Sequence, residues 1–292
     1  ILDEAEVNRH GLSGEETYDR LVELIDLLIA SPKLGERKMM GIGVGAPGVT
    51  LHTKGIVTWA PSLNWNHYPL RDKLATKFSV PIVVENDVNM AALGELWFGA
   101  GQNLHNMVLI TISTGIGSGI IVDGMLYRGA NNAAGEVGYL LPGREFLGKQ
   151  YSTFGALEEV AAGAGITERA RQLLKDQRDP AALARLSIED VFEAARRGEV
   201  WACSVIDDAV EYLAIMIASV SAYFDPGLIV LGGAVVQYAD QFVESILKRI
   251  EGTTPIPSQV VASVLGHRAT ALGAVINILQ YVVDAYVVHK LR

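Results

Sequence analysis

Cysteine and long apolar runs are nearly absent from this sequence of 292 residues. The single cysteine, Cys203, excludes an internal disulfide and any zinc site built from several cysteines. Its place in an apolar helical segment predicts a small buried side chain. The apolar run 213–218 is soon followed by Ser219, Ser221 and Asp225, so no membrane span is predicted. The first residues show no signal-peptide pattern, and we expect a cytoplasmic protein.

Basic residues are also few, because 24 Lys and Arg face 33 Asp and Glu, and the net charge is −9. Protein binding to nucleic acid depends mainly on contacts of Lys and Arg side chains with phosphates. This chain is therefore not expected to bind DNA through a basic surface of its own. Half of the residues are hydrophobic, and the length predicts two domains with a sizeable core.

Strand patterns alternate with helix patterns, which predicts an α/β protein. Ser13 and Glu16 form a capping box ahead of a helix. Further helices are predicted over Asp87–Phe98 and about 199–224, and Asp123-Gly124 predicts a hairpin.

One motif joins a strand directly to polar residues. Val83 and Val84 lead into Glu85, Asn86 and Asp87, and a helix begins at once. Asp87 is therefore expected at the carboxyl end of a strand, where open α/β sheets bind ligands. Capping of the helix by Asn86 or Asp87 explains the local pattern equally well.

Two glycine-rich turns follow other strands. In the turn Thr114–Gly119, backbone N–H groups can approach an anion such as a phosphate, although a hairpin without a ligand fits as well. It is not a dinucleotide fingerprint, because a strand follows it. After the strand 228–231, two glycines would let a nucleotide lie close to the backbone, or simply form a tight turn. The candidate cofactor-binding residues are Thr114, Gly115, Gly117, Gly119, Gly232 and Gly233.

Two glutamates complete the candidate site. Glu136 is flanked by glycines, and Glu158 lies at a predicted helix start. Converging carboxylates would suit sugar hydroxyls, whereas simple exposure or pairing with a helix dipole is the alternative for each.

Together and in this order, these segments resemble the ROK family, which contains bacterial sugar kinases and sugar-responsive transcriptional repressors. The resemblance runs through nearly the whole chain and is strongest from Gly41 to Leu141. The segments that carry it include Gly43–Gly48, Val84–Asp87, Ala92–Glu95, Thr114–Gly119, Asp123–Gly129 and Ala134–Gly138.

The resemblance implies an actin-like ATPase fold, with two ribonuclease-H-like α/β domains around a cleft. The first, smaller domain would comprise 1–103 plus 275–292, with its amino-terminal strands missing. The second, 104–274, would carry the nucleotide side and the oligomerisation surface. A homo-oligomer, namely a dimer, is the expected assembly.

The resemblance also implies residue roles. Asp87 matches the base that accepts the sugar hydroxyl's proton in family kinases. The implied sugar ligands are Asn86, Asp87, Glu136, Tyr139 and Glu158. Thr114 and its glycines would face the ATP phosphates, and Gly232 and Gly233 would lie by the nucleotide. ATP and Mg²⁺ are expected only if the protein is a kinase.

Several departures from the family pattern qualify this expectation. Tyr139 replaces the histidine of the family's zinc motif and no cysteine is nearby, so no zinc and no other metal site is predicted. Ser62 stands where asparagine is usual, and Ser113 where kinases usually have glycine. The Asp-x-Gly-x-Thr loop of the kinases is not within this sequence.

Two functions follow from these observations. Asp87 and the intact Thr114–Gly119 turn favour an ATP-dependent sugar (hexose) kinase. The departures from the kinase pattern, and the sequence patterns of residues 85–95 and 135–139, favour a different function. They indicate the sugar-binding effector domain of a transcriptional regulator of carbohydrate metabolism, similar to repressors of the xylose and N-acetylglucosamine type. We favour the regulator, which would reach DNA only through an upstream domain absent from this sequence.

Overall fold

The computed structural model describes residues 1–6, 12–151, 154–234, 238–256 and 258–290 of a mixed α/β protein. Its helices are α1 (Gly14–Ile29), α2 (Leu70–Ala75), α3 (Asp87–Phe98), α4 (Glu158–Ala161), α5 (Gly163–Leu174), α6 (Pro180–Ala184), α7 (Ile188–Arg196), α8 (Val200–Phe224), α9 (Ala239–Ile250) and α10 (Ala269–Lys290). Its strands are β1 (Ile42–Ala46), β2 (Val49–Leu51), β3 (Ile56–Ala60), β4 (Trp65–Tyr68), β5 (Ile82–Asn86), β6 (Met107–Ile112), β7 (Ile116–Val122), β8 (Met125–Tyr127), β9 (Leu228–Gly232) and β10 (Gln259–Ala262).

The amino-terminal half is built around two small sheets. β1 and β5 pair in parallel, and β2, β3 and β4 form an antiparallel sheet. Val57, Leu70, Leu74 and Val84 are fully buried between these sheets and α2. Because β1 and β5 are parallel, their carboxyl ends lie at the same edge of the sheet. Asn86 ends β5 at this edge, and α3 begins directly after it.

The larger sheet has the strand order β10-β9-β6-β7-β8. β9 is parallel to both β6 and β10, whereas β6, β7 and β8 are joined antiparallel. The predicted hairpin at Asp123-Gly124 is confirmed, and both residues have the positive φ (52° and 76°) that such two-residue turns require. The helices α4, α5, α7, α8 and α9 supply the core on one side of this sheet.

Helices α3 and α10 touch through their backbones. A Cβ added to Gly273 would lie 1.6 Å from the carbonyl oxygen of Met90, and one added to Gly94 would lie 2.1 Å from that of Ala269. No side chain larger than hydrogen fits at either position, so the two glycines allow this close helix approach.

The predicted helix boundaries agree well with the structure in several places. The capping box of Ser13 and Glu16 is present at α1, and α3 spans the predicted residues. The glycine-rich turn is shorter than predicted, because β7 already begins at Ile116 and Gly119 pairs with Leu109 of β6. A Cβ on Gly119 would approach Ala92 of α3 within 2.5 Å, so this glycine makes room for helix packing.

Two sequence expectations were wrong or incomplete. Cys203 is exposed on α8 rather than buried, because its side chain lies on the outer face of a helix whose buried face carries Ala202, Val205 and Ile206. The short strands β2 and β4 had no recognisable pattern.

Within the described residues, no helix is both long and apolar enough to cross a membrane. The predicted domain ranges, 1–103 with 275–292 and 104–274, stay a prediction. Residues 7–11, 152–153, 235–237, 257 and 291–292 of these ranges lie outside the described part of the chain.

Candidate functional site

The amide side chain of Asn86 fixes the junction between β5 and α3. Its Oδ1 accepts hydrogen bonds from the N–H groups of Val88 and Asn89, both at 2.9 Å, and its Nδ2 donates to the carbonyl of Gly48 at 3.0 Å. Asn86 is therefore the N-cap of α3, as one of the two sequence interpretations had it. Asp87 is the first residue of the helix, and its Oδ1 accepts from the N–H of Val88 at 2.9 Å.

The carboxyl group of Glu136 is influenced by two carboxylates from other segments of the chain. The pKa of Glu136 is raised above its ordinary value, first by burial and then by the negative charges of Glu158 and Asp87. Burial and like charges both disfavour the ionised form of a carboxyl group. Glu136 is thus close enough to both Glu158 and Asp87 for their charges to affect it, and the convergence of the three residues on one sugar stays a prediction.

Glu158 is held by the backbone on both sides. Its Oε1 accepts from the N–H of Ile116 at 2.8 Å, and its Oε2 accepts from the N–H of Gly155 at 2.6 Å. A Cβ on Gly115 would lie 2.4 Å from Oε1, and one on Gly138 would lie 2.7 Å from Cδ. The carboxylate therefore links the glycine-rich turn to Gly155.

Tyr139 lies near an aromatic residue of the antiparallel sheet and is affected by the charges of two glutamates. Its pKa is raised, mainly by burial and then by the charges of Glu158 and Glu136. Its ring centroid is 6.4 Å from that of Trp59 on β3, which remains 37% exposed. Sequence reasoning missed Trp59, although a tryptophan just before Ala60-Pro61 was the available signal. Aromatic faces beside carboxylates offer a sugar both an apolar surface and hydrogen-bond acceptors.

A buried ion pair behind the site was also missed. Arg128, which follows β8, donates from Nε to Oε2 of Glu85 at 2.7 Å. Glu85 is 1% exposed, and its Oε1 accepts from the N–H of Asn86 and from Nδ2 of Asn89. Nearby, Nδ1 of His52 lies 2.8 Å from Oδ1 of Asn132. These contacts join the loop 128–136 to β5 and to the end of β2.

A small polar cavity separates Asn86 from Glu136. Its walls include both residues, together with Gly48, Asn89 and Asn132. Asn89 is 5% exposed, and its Oδ1 has no hydrogen-bond partner among the described residues. Buried polar atoms are nearly always paired, so this unmatched acceptor marks the cavity as a place for a ligand hydroxyl or water.

Two larger cavities lie on the nucleotide side that the resemblance implies. One, of about 1000 Å³, is lined by Thr114 and by residues of α4, α5 and α7. The other, of about 410 Å³, is lined by Asp87, Gly232 and Gly233, among others. Ser113 and Ala234 belong to the walls of both.

The remaining cofactor candidates lie elsewhere. Gly115 packs against Glu158, Gly117 borders the small polar cavity, and Gly119 lies against α3. Their assignment to a nucleotide stays a prediction, as does that of Thr114, Gly232 and Gly233.

The fit of a nucleotide can be tested on Ser113. Its Oγ accepts a hydrogen bond of 3.1 Å from the N–H of Ala234, at the point where the two cavities meet. A nucleotide that spanned both cavities would have to displace this contact. In the part of the chain that the structure describes, no group of three or more His, Cys, Asp or Glu is arranged to hold a metal ion, and the absence of zinc stays a prediction.

The chain is similar to known proteins over nearly its whole length. Residues 2–280 match the profile of the ROK family. A glucokinase of Halalkalibacterium halodurans is 34% identical over 79% of this chain and 72% of its own length. A xylose repressor of Caldicellulosiruptor bescii is 26% identical over 96% of this chain and 72% of its own.

Solved structures of both kinds are also similar. A ROK family transcriptional regulator, a homologue of the E. coli MLC protein, superposes with a TM-score of 0.80 and 28% identity, covering 94% of this chain and 71% of the other. A ROK family glucokinase of Streptomyces griseus, in complex with glucose and AMPPNP, gives 0.76 and 28%, covering 90% and 87%. The predicted α/β class with the actin-like ATPase fold is confirmed.

Proposed function

Because the chain belongs to the ROK family, we propose that it binds a monosaccharide at the site of Asn86, Asp87, Glu136, Tyr139 and Glu158, and that it is the sugar-sensing part of a transcriptional regulator of carbohydrate metabolism. The observation that carries the proposal is that the buried carboxyl group of Glu136 lies close enough to Glu158 and to Asp87 for both charges to raise its pKa. These carboxylates can accept hydrogen bonds from several hydroxyls of one small ligand, and hydrogen bonds to ionised acceptors are the strong ones.

The regulator is favoured over an enzyme by the nucleotide side of the cleft. Ser113 and Ala234 line both of the larger cavities, so a triphosphate that spanned the two cavities would have to displace the hydrogen bond between these residues. A role in sensing needs only a sugar and a conformational response to it. The similarity to a xylose repressor and to a ROK family transcriptional regulator supports the same reading.

A sugar kinase is the second candidate, and one observation favours it. Asp87 is close enough to Glu136, a proposed sugar ligand, to affect its pKa, and it also lines the cavity that is lined by Gly232 and Gly233. A carboxylate in that position could accept the proton of a sugar hydroxyl while a phosphoryl donor occupied the cavity. The similarity to glucokinases supports it equally, and ATP with Mg²⁺ would be its cofactors.

The first experiment is a thermal-shift screen of monosaccharides, followed by calorimetric titration of the best ligand. We expect Glu136→Gln to weaken sugar binding about tenfold or more, since one or two charge-assisted hydrogen bonds are lost. The matched control is Glu211→Gln, because Glu211 is an exposed carboxylate on α8. Equal affinities of the wild type and Glu136→Gln for every sugar that binds would contradict the assigned site.

A second experiment separates the two candidates. With the identified sugar, ATP and Mg²⁺, turnover that Asp87→Asn abolishes while sugar binding persists would establish the kinase. Release of operator DNA from the complete gene product on addition of the sugar, without turnover, would establish the regulator.

A further inference from the structure

Ser113 lies at the junction of the two larger cavities and is fixed at three points. Its N–H donates to the carbonyl of Gly115 at 2.9 Å, its carbonyl accepts from the N–H of Gly163 at 2.8 Å, and its Oγ accepts from the N–H of Ala234 at 3.1 Å. The backbone bonds hold the residue in place, and the third bond uses the side chain alone. That third bond joins the end of β6 to the turn after β9.

The turn after β9 aims the N–H of Ala234 at this junction. Gly233 has φ +86°, and a Cβ there would lie 2.4 Å from the carbonyl oxygen of Ile112. The turn is therefore available only to glycine, and its geometry leaves the following N–H directed at β6. An N–H in a glycine turn at the mouth of a cavity is the kind of donor that binds an anionic oxygen.

We propose that the hydroxyl of Ser113 is an internal substitute for a ligand oxygen, which satisfies the N–H of Ala234 and closes the passage between the two cavities against nucleoside di- and triphosphates. A phosphate chain that passed between them would have to break this hydrogen bond and displace the side chain. Ser113 is thus a specificity-determining residue that keeps the cleft selective for the sugar alone. The proposal deepens the sugar-sensing function, since it explains how the chain retains both cavities and yet responds to sugar without nucleotide.

The energetic scale follows from the bond that is lost. An intramolecular hydrogen bond is worth on the order of 0.5–1.5 kcal/mol net, so a ligand that need not break it gains about twofold to tenfold in affinity. Removal of the Cβ as well as the hydroxyl widens the passage and adds to that gain. The hydrogen bond itself uses none of the proposed sugar ligands, although Glu158 and Asp87 each line one of the two cavities.

The test compares three variants by calorimetric titration with ADP and with AMPPNP, each with Mg²⁺, at a saturating concentration of the sugar. Ser113→Gly should bind AMPPNP at least about threefold to tenfold more tightly than the wild type, because both the hydrogen bond to Ala234 and the serine side chain are removed. Ser113→Ala should lie between the two, since its methyl group remains. Ser113→Thr, which keeps the hydroxyl, should bind no better than the wild type.

Folding of each variant is checked by its affinity for the sugar, which should be unchanged. The proposal is overturned if Ser113→Gly and Ser113→Ala bind AMPPNP no more tightly than the wild type. The same conclusion holds if neither the wild type nor these two variants bind AMPPNP detectably. It is likewise overturned if Ser113→Thr gains as much as Ser113→Gly. Failure of the proposed sugar binding would look different, because neither the wild type nor any variant would then bind sugar. In that case the nucleotide affinities, measured without sugar, would still decide the role of Ser113.

Discussion

Arg128 and Glu85 form an ion pair, in which Nε of Arg128 donates a hydrogen bond of 2.7 Å to Oε2 of Glu85. This pair joins the segment after β8 to the carboxyl end of β5, just before Asp87. Glu85 is 1% exposed, so its charge has no access to water. Its other oxygen accepts from the N–H of Asn86. The ion pair therefore positions the backbone that carries two of the proposed sugar ligands, without itself facing the sugar.

Loss of Arg128 should destabilise the protein. Arg128→Ala leaves the buried carboxylate of Glu85 without its cation, which costs about 3 kcal/mol, at the low end of the usual range because the Arg128 side chain is 25% exposed. Urea unfolding measures the loss. The control Arg185→Ala removes an exposed arginine and should change the free energy of unfolding by less than about 0.5 kcal/mol. Equal stabilities of the two variants would contradict the assigned role.

Glu136 should give the stability a particular pH dependence. Its pKa is raised in the folded state, so its contribution to stability is fully present below the ordinary value of 4.5 and is lost as pH rises through the folded-state pKa. Glu136→Gln removes this loss. The variant should therefore gain stability relative to the wild type as the pH is raised from 4.5 towards neutrality, as measured by urea unfolding at a series of pH values. A constant difference across that range would refute the burial and charge argument.

Glu158 should behave differently from Glu136, because both of its oxygens accept backbone hydrogen bonds. In Glu158→Gln, one acceptor becomes an NH₂ group that faces an N–H donor. We expect sugar affinity and the free energy of unfolding to fall together, the latter by about 1–3 kcal/mol. Thermal unfolding with and without sugar separates the two effects. A variant that lost sugar affinity at wild-type stability would show that these backbone bonds matter little.

The two neighbouring glycines after β9 should differ sharply. Gly233→Ala forces a non-glycine residue to a φ of +86° and brings its Cβ close to Ile112, so we expect a loss of about 1–3 kcal/mol. At Gly232, φ is not in the positive range and the nearest atom to an added Cβ is Cδ1 of Leu109 at 3.3 Å. Gly232→Ala should therefore cost under about 1 kcal/mol, since reduced flexibility of the unfolded chain offsets the crowding. Chemical denaturation of both variants tests the contrast.

Local patterns predicted the elements that carry their own signals. The capping box marked the start of α1, and the change from β-branched residues to Glu85, Asn86 and Asp87 marked the junction of β5 and α3. The start of β7 was misplaced because Gly117 and Gly119 suggest a turn, whereas here their missing side chains admit α3 against the sheet. Sequence spacing holds no information about such packing between distant segments.

The candidate site divides in the same way. Asn86, Asp87, Glu136 and Glu158 could be named from motifs, and their roles remain proposals. The partners of these residues could not be predicted. The bond between Arg128 and Glu85 spans 43 positions, and that between Ser113 and Ala234 spans 121, so only the fold brings the partners together.

The glycine contact between α3 and α10 limits how these two helices can move relative to each other. Gly94 and Gly273 leave no slack for one helix to slide over the other, since close-packed surfaces shift between discrete arrangements rather than deform continuously. Asp87 at the head of α3 and Thr270 at the head of α10, whose hydroxyl donates to the carbonyl of Asp87, must travel together. The two helices are therefore expected to move as one rigid unit if either of them moves.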